Sequence, residues 1–210
     1  MIRKGKQYKM IQAVIHGIIL SFGLILPLGV QNVFVFNQGA TQPKFLRALP
    51  VVLTASVCDT LLISLAVLGV SVVVFGVYWV KVMLILAGTL FLIYMGWVTF
   101  KSQPDPDQPQ KSSLSPKKQI AFAVSVSLLN PHAIMDTIGV IGTSSLSYTG
   151  VEKLAFTLAC VAVSWIWFFS LAWMGKQVGR LHQSADVINM LNKVSAFIMW
   201  GTALYLLFTI

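Results

Sequence analysis

The stretch ILPLGVQNVFVFNQG, residues 25–39, lies within a long apolar run and still contains a proline, two glycines, two glutamines and two asparagines. Pro27 has no N–H to donate to the carbonyl of Gly23, so a helix cannot continue normally through it. Gly29 allows the chain to approach a neighbour or a ligand closely. In lipid, irregular backbone is tolerated only where protein or water supplies its hydrogen bonds. The stretch therefore predicts a membrane helix that is broken near its centre, with amides at the break.

The composition around this stretch is that of an integral membrane protein. Of the 210 residues, 57% are hydrophobic and only 10% are charged, and the mean hydropathy is +0.81, far from the average usage of soluble domains. About 20 apolar residues span a bilayer as a helix. Such runs lie at 11–36, 46–69, 80–100, 118–142, 152–174 and 189–209. We expect an all-α, multi-pass protein with six transmembrane helices in a single domain, residues 1–210.

The charge and the cysteines exclude several classes of function. The net charge is +9, but the basic residues sit in the connections between the runs, where they anchor and orient the chain against the bilayer. We therefore expect a lipid bilayer and no nucleic acid as partner. The basic and apolar opening MIRKGKQYKM IQAVIHGIIL lacks a cleavage site, which predicts an uncleaved first span. Two cysteines, Cys58 and Cys160, give neither a disulfide framework nor a metal spacing.

A hydrophilic linker divides the chain into two halves of three runs each. The stretch KSQPDPDQPQKSSLSPKK, residues 101–118, is rich in proline, serine and charge. Laying Pro27 on Pro131 aligns SFGLILPLGVQN with SVSLLNPHAIMD. Because each half has an odd number of spans, the second half enters the membrane from the opposite side. We expect two inverted three-helix repeats with broken first helices: repeat one at 11–100, a linker at 101–117, and repeat two at 118–210.

The orientation in the membrane stays open. With six crossings, the linker side holds nine basic residues and the other side six, which favours a cytoplasmic linker and external termini. The basic tail before the first span favours the opposite side. An arrangement of five spans with one re-entrant segment places both tail and linker in the cytoplasm.

The two proline breaks supply groups that suit a zwitterion. Each break leaves free carbonyls on one side, which suit an ammonium, and helix N-terminal N–H groups on the other, which suit a carboxylate. The alternative is that these polar residues only satisfy the kinks or join helices. Our candidate substrate-binding residues are Pro27, Gly29, Gln31, Asn32, Asn130, Pro131 and His132. The aromatic run at 165–169 is assigned to packing or to lipid contact.

Only two of the six acidic residues, Asp59 and Asp136, fall in the interior of the apolar runs. A charge in the bilayer costs about 2.5 to 3.5 kcal/mol on insertion scales, so an intramembrane carboxylate is a functional hypothesis by default. Either aspartate could attract a cationic substrate or carry a proton. A hydrogen-bonded structural carboxylate is the alternative.

Taken in order, LPLGVQNVFVFNQG near the N-terminus, CDTLLI in the second run and LNPHAIMDT after the linker make the sequence resemble the lysine and arginine exporter family of LysE type. The resemblance extends over nearly the whole chain. It implies a secondary-active exporter of basic amino acids in the bacterial cytoplasmic (inner) membrane, without a cofactor, and matches Asp59 to the family's acidic position in the second span. The glutamine and asparagine after LPLG resemble the basic-amino-acid branch. Arginine versus lysine, and a homo-oligomer versus a monomer, stay open.

Three other functions remain as alternatives. A divalent metal-ion exporter could use Asp59, Asp136, His16 and His132 as ligands, although their spacing defines no coordination geometry. A neutral amino acid could be the substrate instead of a basic one. A thiol–disulfide carrier could use Cys58 and Cys160, but neither cysteine adjoins a proline break, and buried free cysteines usually behave as small hydrophobes.

Overall fold

The computed structural model describes residues 2–26, 29–69, 78–101, 114–128, 133–134, 137–181 and 185–208. All the regular structure in these ranges is helical. The longer helices are α1 (Ile2–Ile25), α2 (Val30–Thr41), α3 (Leu49–Val67), α4 (Tyr78–Lys101), α5 (Pro116–Leu128), α6 (Gly150–Leu181) and α7 (Ala185–Leu207). Shorter segments are a 3₁₀ turn (Phe45–Arg47), a π-helix (Thr137–Gly142) and an α-helical turn (Thr143–Ser145).

The helices have the character of membrane spans. Among the described residues, three segments are long and apolar enough to cross a bilayer: Gln7–Ile25, Leu49–Val67 and Gly150–Arg180. One face of α3 is an exposed apolar stripe, as expected of a face turned to lipid, and it consists of Leu53, Val57, Leu61 and Leu65. The prediction of an all-α membrane protein is confirmed. The first helix starts at Ile2 rather than at residue 11, because polar and basic residues can continue a helix beyond the apolar run.

Helices α1 and α2 follow one another along α6. Near the start of α6, an ideal Cβ on Gly17 of α1 would lie 2.8 Å from the carbonyl oxygen of Phe156. Near its end, the carbonyl of Ala40 in α2 packs directly against Gly179. Residue numbers increase in the same direction on both sides of this contact, so α1 and α2 together run parallel to α6.

Two further helix pairs complete the bundle. The side-chain amide of Gln119 in α5 donates to the carbonyl of Arg47, just before α3, at 3.0 Å. The π-helix packs on the other end of α3, where an ideal Cβ on Gly142 would lie 3.2 Å from the Ala66 oxygen, so α5 and the π-helix run parallel to α3. Helices α4 and α7 also pack together, and the indole of Trp200 in α7 donates to the carbonyl of Ile93 in α4 at 3.2 Å.

Helix α2 is the central element, since none of its residues is exposed. It runs antiparallel to α5: the rings of Phe34 and Phe122 have centroids 3.6 Å apart, and the side chain of Gln42 donates to the carbonyl of Leu114 at 2.9 Å. This register places the start of α2 level with the end of α5. Val30 and Val126 accordingly belong to the same hydrophobic core.

Candidate functional site

The first helix is interrupted where the proline and glycines predict it. The last helical hydrogen bond of α1 runs from Leu26 N–H to Phe22 O at 3.0 Å. Gly29 has an extended backbone, with φ −74° and ψ 169°, and α2 begins at Val30. We call the segment between Ile25 and Val30 the first break.

The N-terminus of α2 lies at this break. Gly29 is its N-cap, and no side chain among the described residues caps it. The first N–H groups of any helix have no acceptor within the helix, and the aligned peptide dipoles make this end positive. Gly29 is exposed, and an ideal Cβ on it would meet no atom of the described residues within 4 Å. A carboxylate that approaches this end would meet helix N–H donors.

The two amides after the break have different surroundings. Asn32 is buried; its Nδ2 donates to the carbonyl of Ile25 at 2.6 Å, and its Oδ1 accepts the indole N–H of Trp167 at 3.3 Å. Asn32 therefore bridges the end of α1, the start of α2, and α6. Gln31 is half-buried, and its Nε2 is shielded from solvent without a hydrogen-bond partner in the described part of the chain. The Gln31 amide therefore has unused donor capacity close to the first break.

Asp59 lies on the face of α3 that points into the bundle. At about 100° per residue, it is about 180° around the helix from the centre of the exposed apolar stripe of α3. Its neighbours on the inward face, Ala55 and Ala66, are at most 4% exposed, whereas Asp59 is only half-buried. Asp59 therefore lies on the inward side of α3 and is less completely buried than its neighbours there.

Contacts on both sides of Asp59 place it level with the first break and the end of α5. On one side, the Cys58 thiol lies beside the hydroxyl of Ser127, next to the last residue of α5. On the other, Thr60 Oγ1 accepts the indole N–H of Trp165 at 3.0 Å. Two residues further along α6, Trp167 contacts Asn32. The carboxyl, the start of α2 and the end of α5 thus share one height in the bundle.

Four helices, α2, α3, α5 and α6, surround the part of the bundle at this height. We call them the four-helix ring. Each neighbouring pair is joined by a side-chain contact. These contacts are Cys58 with Ser127, Phe34 with Phe122, Asn32 with Trp167, and Thr60 with Trp165. The ring is the candidate site.

The sequence-predicted residues divide into two groups. The structure brings Gly29, Gln31, Asn32 and Asp59 to the four-helix ring. The others, Pro27, Asn130, Pro131, His132 and Asp136, lie outside the described residues. In the part of the chain that is described, no three His, Cys, Asp or Glu side chains cluster as metal ligands would.

Sequence reasoning misses the two tryptophans of α6. It assigns the run at 165–169 to packing or lipid, yet both indole N–H groups donate to polar side chains of the ring. It also misses a polar cluster at the far end of α2, where Lys176 donates to the carbonyls of Gln42 at 2.6 Å and Pro43 at 3.1 Å. A lysine just beyond the end of an apolar run is the signal that could have identified this cluster.

Comparison with known proteins gives the family. The model of the LysE type translocator family matches residues 4–209. A Bacillus subtilis protein provisionally named an amino-acid transporter, YisU, is 58% identical over 193 residues, which cover 92% of this chain and 88% of that protein. The arginine exporter ArgO of Escherichia coli K12 is 30% identical over 195 residues, 91% of each chain. No solved structure is significantly similar.

These matches extend over nearly the whole chain, and they describe transporters and not enzymes. The chain belongs to the LysE family of translocators.

Proposed function

We propose that the protein is a secondary-active exporter of basic amino acids, L-arginine or L-lysine or both, across the cytoplasmic membrane of a bacterium. The observation that carries the proposal is the position of the half-buried Asp59 on the inward face of α3, at the height of the first break. The arginine exporters among the relatives, at about 30% identity, support the same substrate class.

The ring offers complementary groups to both ends of such a substrate. The positive N-terminus of α2 and the Gln31 amide suit the α-carboxylate. The Asp59 carboxylate suits the guanidinium or ammonium of the side chain. A neutral amino acid would leave the Asp59 charge uncompensated in a membrane interior, which is costly.

The helix pairing supports the inverted repeats that we propose. The broken first helix of repeat one, α1 with α2, packs parallel to α6, the second helix of repeat two. The first helix of repeat two, α5 with the π-helix, packs parallel to α3, the second helix of repeat one. The third helices, α4 and α7, pair with each other. Exchanging the repeats reproduces every pairing, as a two-fold relation in the membrane plane requires.

In this arrangement the second half contributes to the same site. Asn130, Pro131 and His132 would follow the end of α5, which reaches the height of the first break, and Asp136 would supply a second carboxylate for cation binding or ion coupling. Six crossings place the linker and the chain termini on opposite sides of the membrane. Transport of this kind is driven by an ion gradient or the membrane potential and uses no cofactor.

The test is efflux from proteoliposomes loaded separately with labelled arginine, lysine, leucine or a divalent metal ion. We expect arginine or lysine, or both, to leave faster than from protein-free liposomes, with leucine and metal at the protein-free rate. Efflux of leucine alone would replace the proposal with a neutral exporter, and efflux of metal alone with a metal exporter. No efflux of any of the four, from correctly inserted protein under an imposed gradient, would also contradict it.

A further inference from the structure

A chain of hydrogen bonds crosses the first break. The indole N–H of Trp167 donates to Asn32 Oδ1 at 3.3 Å, and Asn32 Nδ2 donates to the carbonyl of Ile25 at 2.6 Å. In a continuous helix that carbonyl would accept from the N–H of residue 29. The ring of Phe22 packs edge-on against Trp167, with centroids 6.4 Å apart. These two hydrogen bonds connect both polar atoms of the Asn32 amide to the end of α1 and to α6.

The position of Asn32 in α2 makes these two hydrogen bonds important for the N–H groups at the start of the helix. Asn32 is the third residue of α2, and a side chain at that position can reach back to the N–H of the N-cap residue, as in a capping box. An Asn32 oxygen released from Trp167 could turn to those N–H groups. It would then occupy the donors that the proposed function gives to the substrate carboxylate.

We propose that Trp167 is a positioning residue for substrate binding, which acts through Asn32. Its indole N–H holds the Asn32 oxygen on α6, so that the Asn32 nitrogen satisfies Ile25 and the N-terminus of α2 stays open. This inference rests on the proposed function, because it concerns the same carboxylate site.

The test replaces Trp167 with phenylalanine, which keeps an aromatic ring against Phe22 and removes the N–H. We expect the half-saturating concentration of the transported amino acid to rise about five- to tenfold, the worth of one hydrogen bond, with the maximal rate nearly unchanged. The matched control is Trp173→Phe on the same helix, whose side chain is 57% exposed; it should leave both quantities unchanged.

A double-variant cycle separates positioning from packing. Asn32→Leu removes the oxygen that Trp167 holds. Because Trp167 acts through that oxygen, adding Trp167→Phe to Asn32→Leu should cause no further rise in the half-saturating concentration. A rise by the same factor in both backgrounds, or an unchanged half-saturating concentration in Trp167→Phe alone, would overturn the inference. Failure of the unsubstituted protein to move any amino acid would overturn the proposed function instead.

If Trp167→Phe does not insert, Trp167→Leu replaces it in both comparisons, with the same expected and contradicting results.

Discussion

Thr60 and Trp165 fasten α3 to α6 one residue beyond Asp59, through an indole N–H···O contact of 3.0 Å. Thr60 in turn donates to the carbonyl of Ser56 at 2.7 Å, which fixes its rotamer. On the other side of Asp59, Cys58 meets Ser127 of α5. The segment that carries Asp59 therefore lies between two neighbouring helices and is hydrogen-bonded to one of them, while Asp59 itself is on the face of α3 turned toward the ring.

The first prediction concerns the two carboxylates in the apolar runs. Asp59→Asn and Asp136→Asn should each reduce efflux of the basic amino acid at least about tenfold, because the amide keeps the size and hydrogen bonding but removes the charge that pairs with the substrate cation. Efflux is measured from preloaded proteoliposomes at several external pH values. Glu152→Gln, in the first turn of α6, is the matched control and should transport normally. Full activity of either variant would assign that aspartate a structural role.

Hydropathy and the effect of proline on a helix depend only on residues close together in the sequence. For this reason the helices and the first break could be predicted from the sequence. Pro27 and Gly29 interrupt whichever helix contains them. The partner of Asn32 could not be predicted, because Trp167 lies 135 residues away and the contact depends on how α6 is rotated against α2. The presence of Asp59 in an apolar run likewise does not tell which way its side chain is turned. Its inward direction follows from its position on α3, opposite the exposed apolar stripe.

The cysteines test the thiol-carrier alternative. Cys58 faces α5 beside Ser127, while the Cys160 thiol lies 3.6 Å from the carbonyl of Gly17 in α1. They belong to different helix interfaces, and both are free. The double replacement by serine should retain most of the efflux, measured with matched protein amounts in the liposomes. Complete loss of efflux from an inserted double variant would favour the thiol carrier.

Close packing between α2 and α6 predicts a stability effect. An ideal Cβ on Gly39 would overlap the carbonyl of Ala172, and one on Gly175 would overlap that of Phe36. Gly39→Ala and Gly175→Ala should each lower the free energy of unfolding by about 1 to 3 kcal/mol, as overpacking does, and lower the melting temperature in detergent. Gly201→Ala is the control, since its Cβ would meet no atom of the described residues within 4 Å. Equal melting temperatures in all three variants would contradict the packing.

The first break can be closed by substitution. Pro27→Ala restores an N–H and favours a continuous helix, so we expect efflux to fall while insertion is retained. Pro131→Ala should do the same in the second repeat. Pro50→Ala is the control, because Pro50 occupies the first turn of α3, where proline is tolerated. Unimpaired efflux in both break variants would make the breaks packing features.

The number of crossings can be tested from two exposed positions. Gln7 lies on the N-terminal part of α1. Further along this helix, His16 forms a hydrogen bond of 2.8 Å with Tyr148, just before α6. Ser115 precedes α5 near the other end of the bundle, where the side-chain amide of Gln119 donates to the carbonyl of Arg47. In a background without the two native cysteines, cysteines at positions 7 and 115 should react with a membrane-impermeant thiol reagent from opposite sides of the membrane. Five spans with a re-entrant segment place tail and linker together, so labelling of both positions from the same side would exclude six crossings.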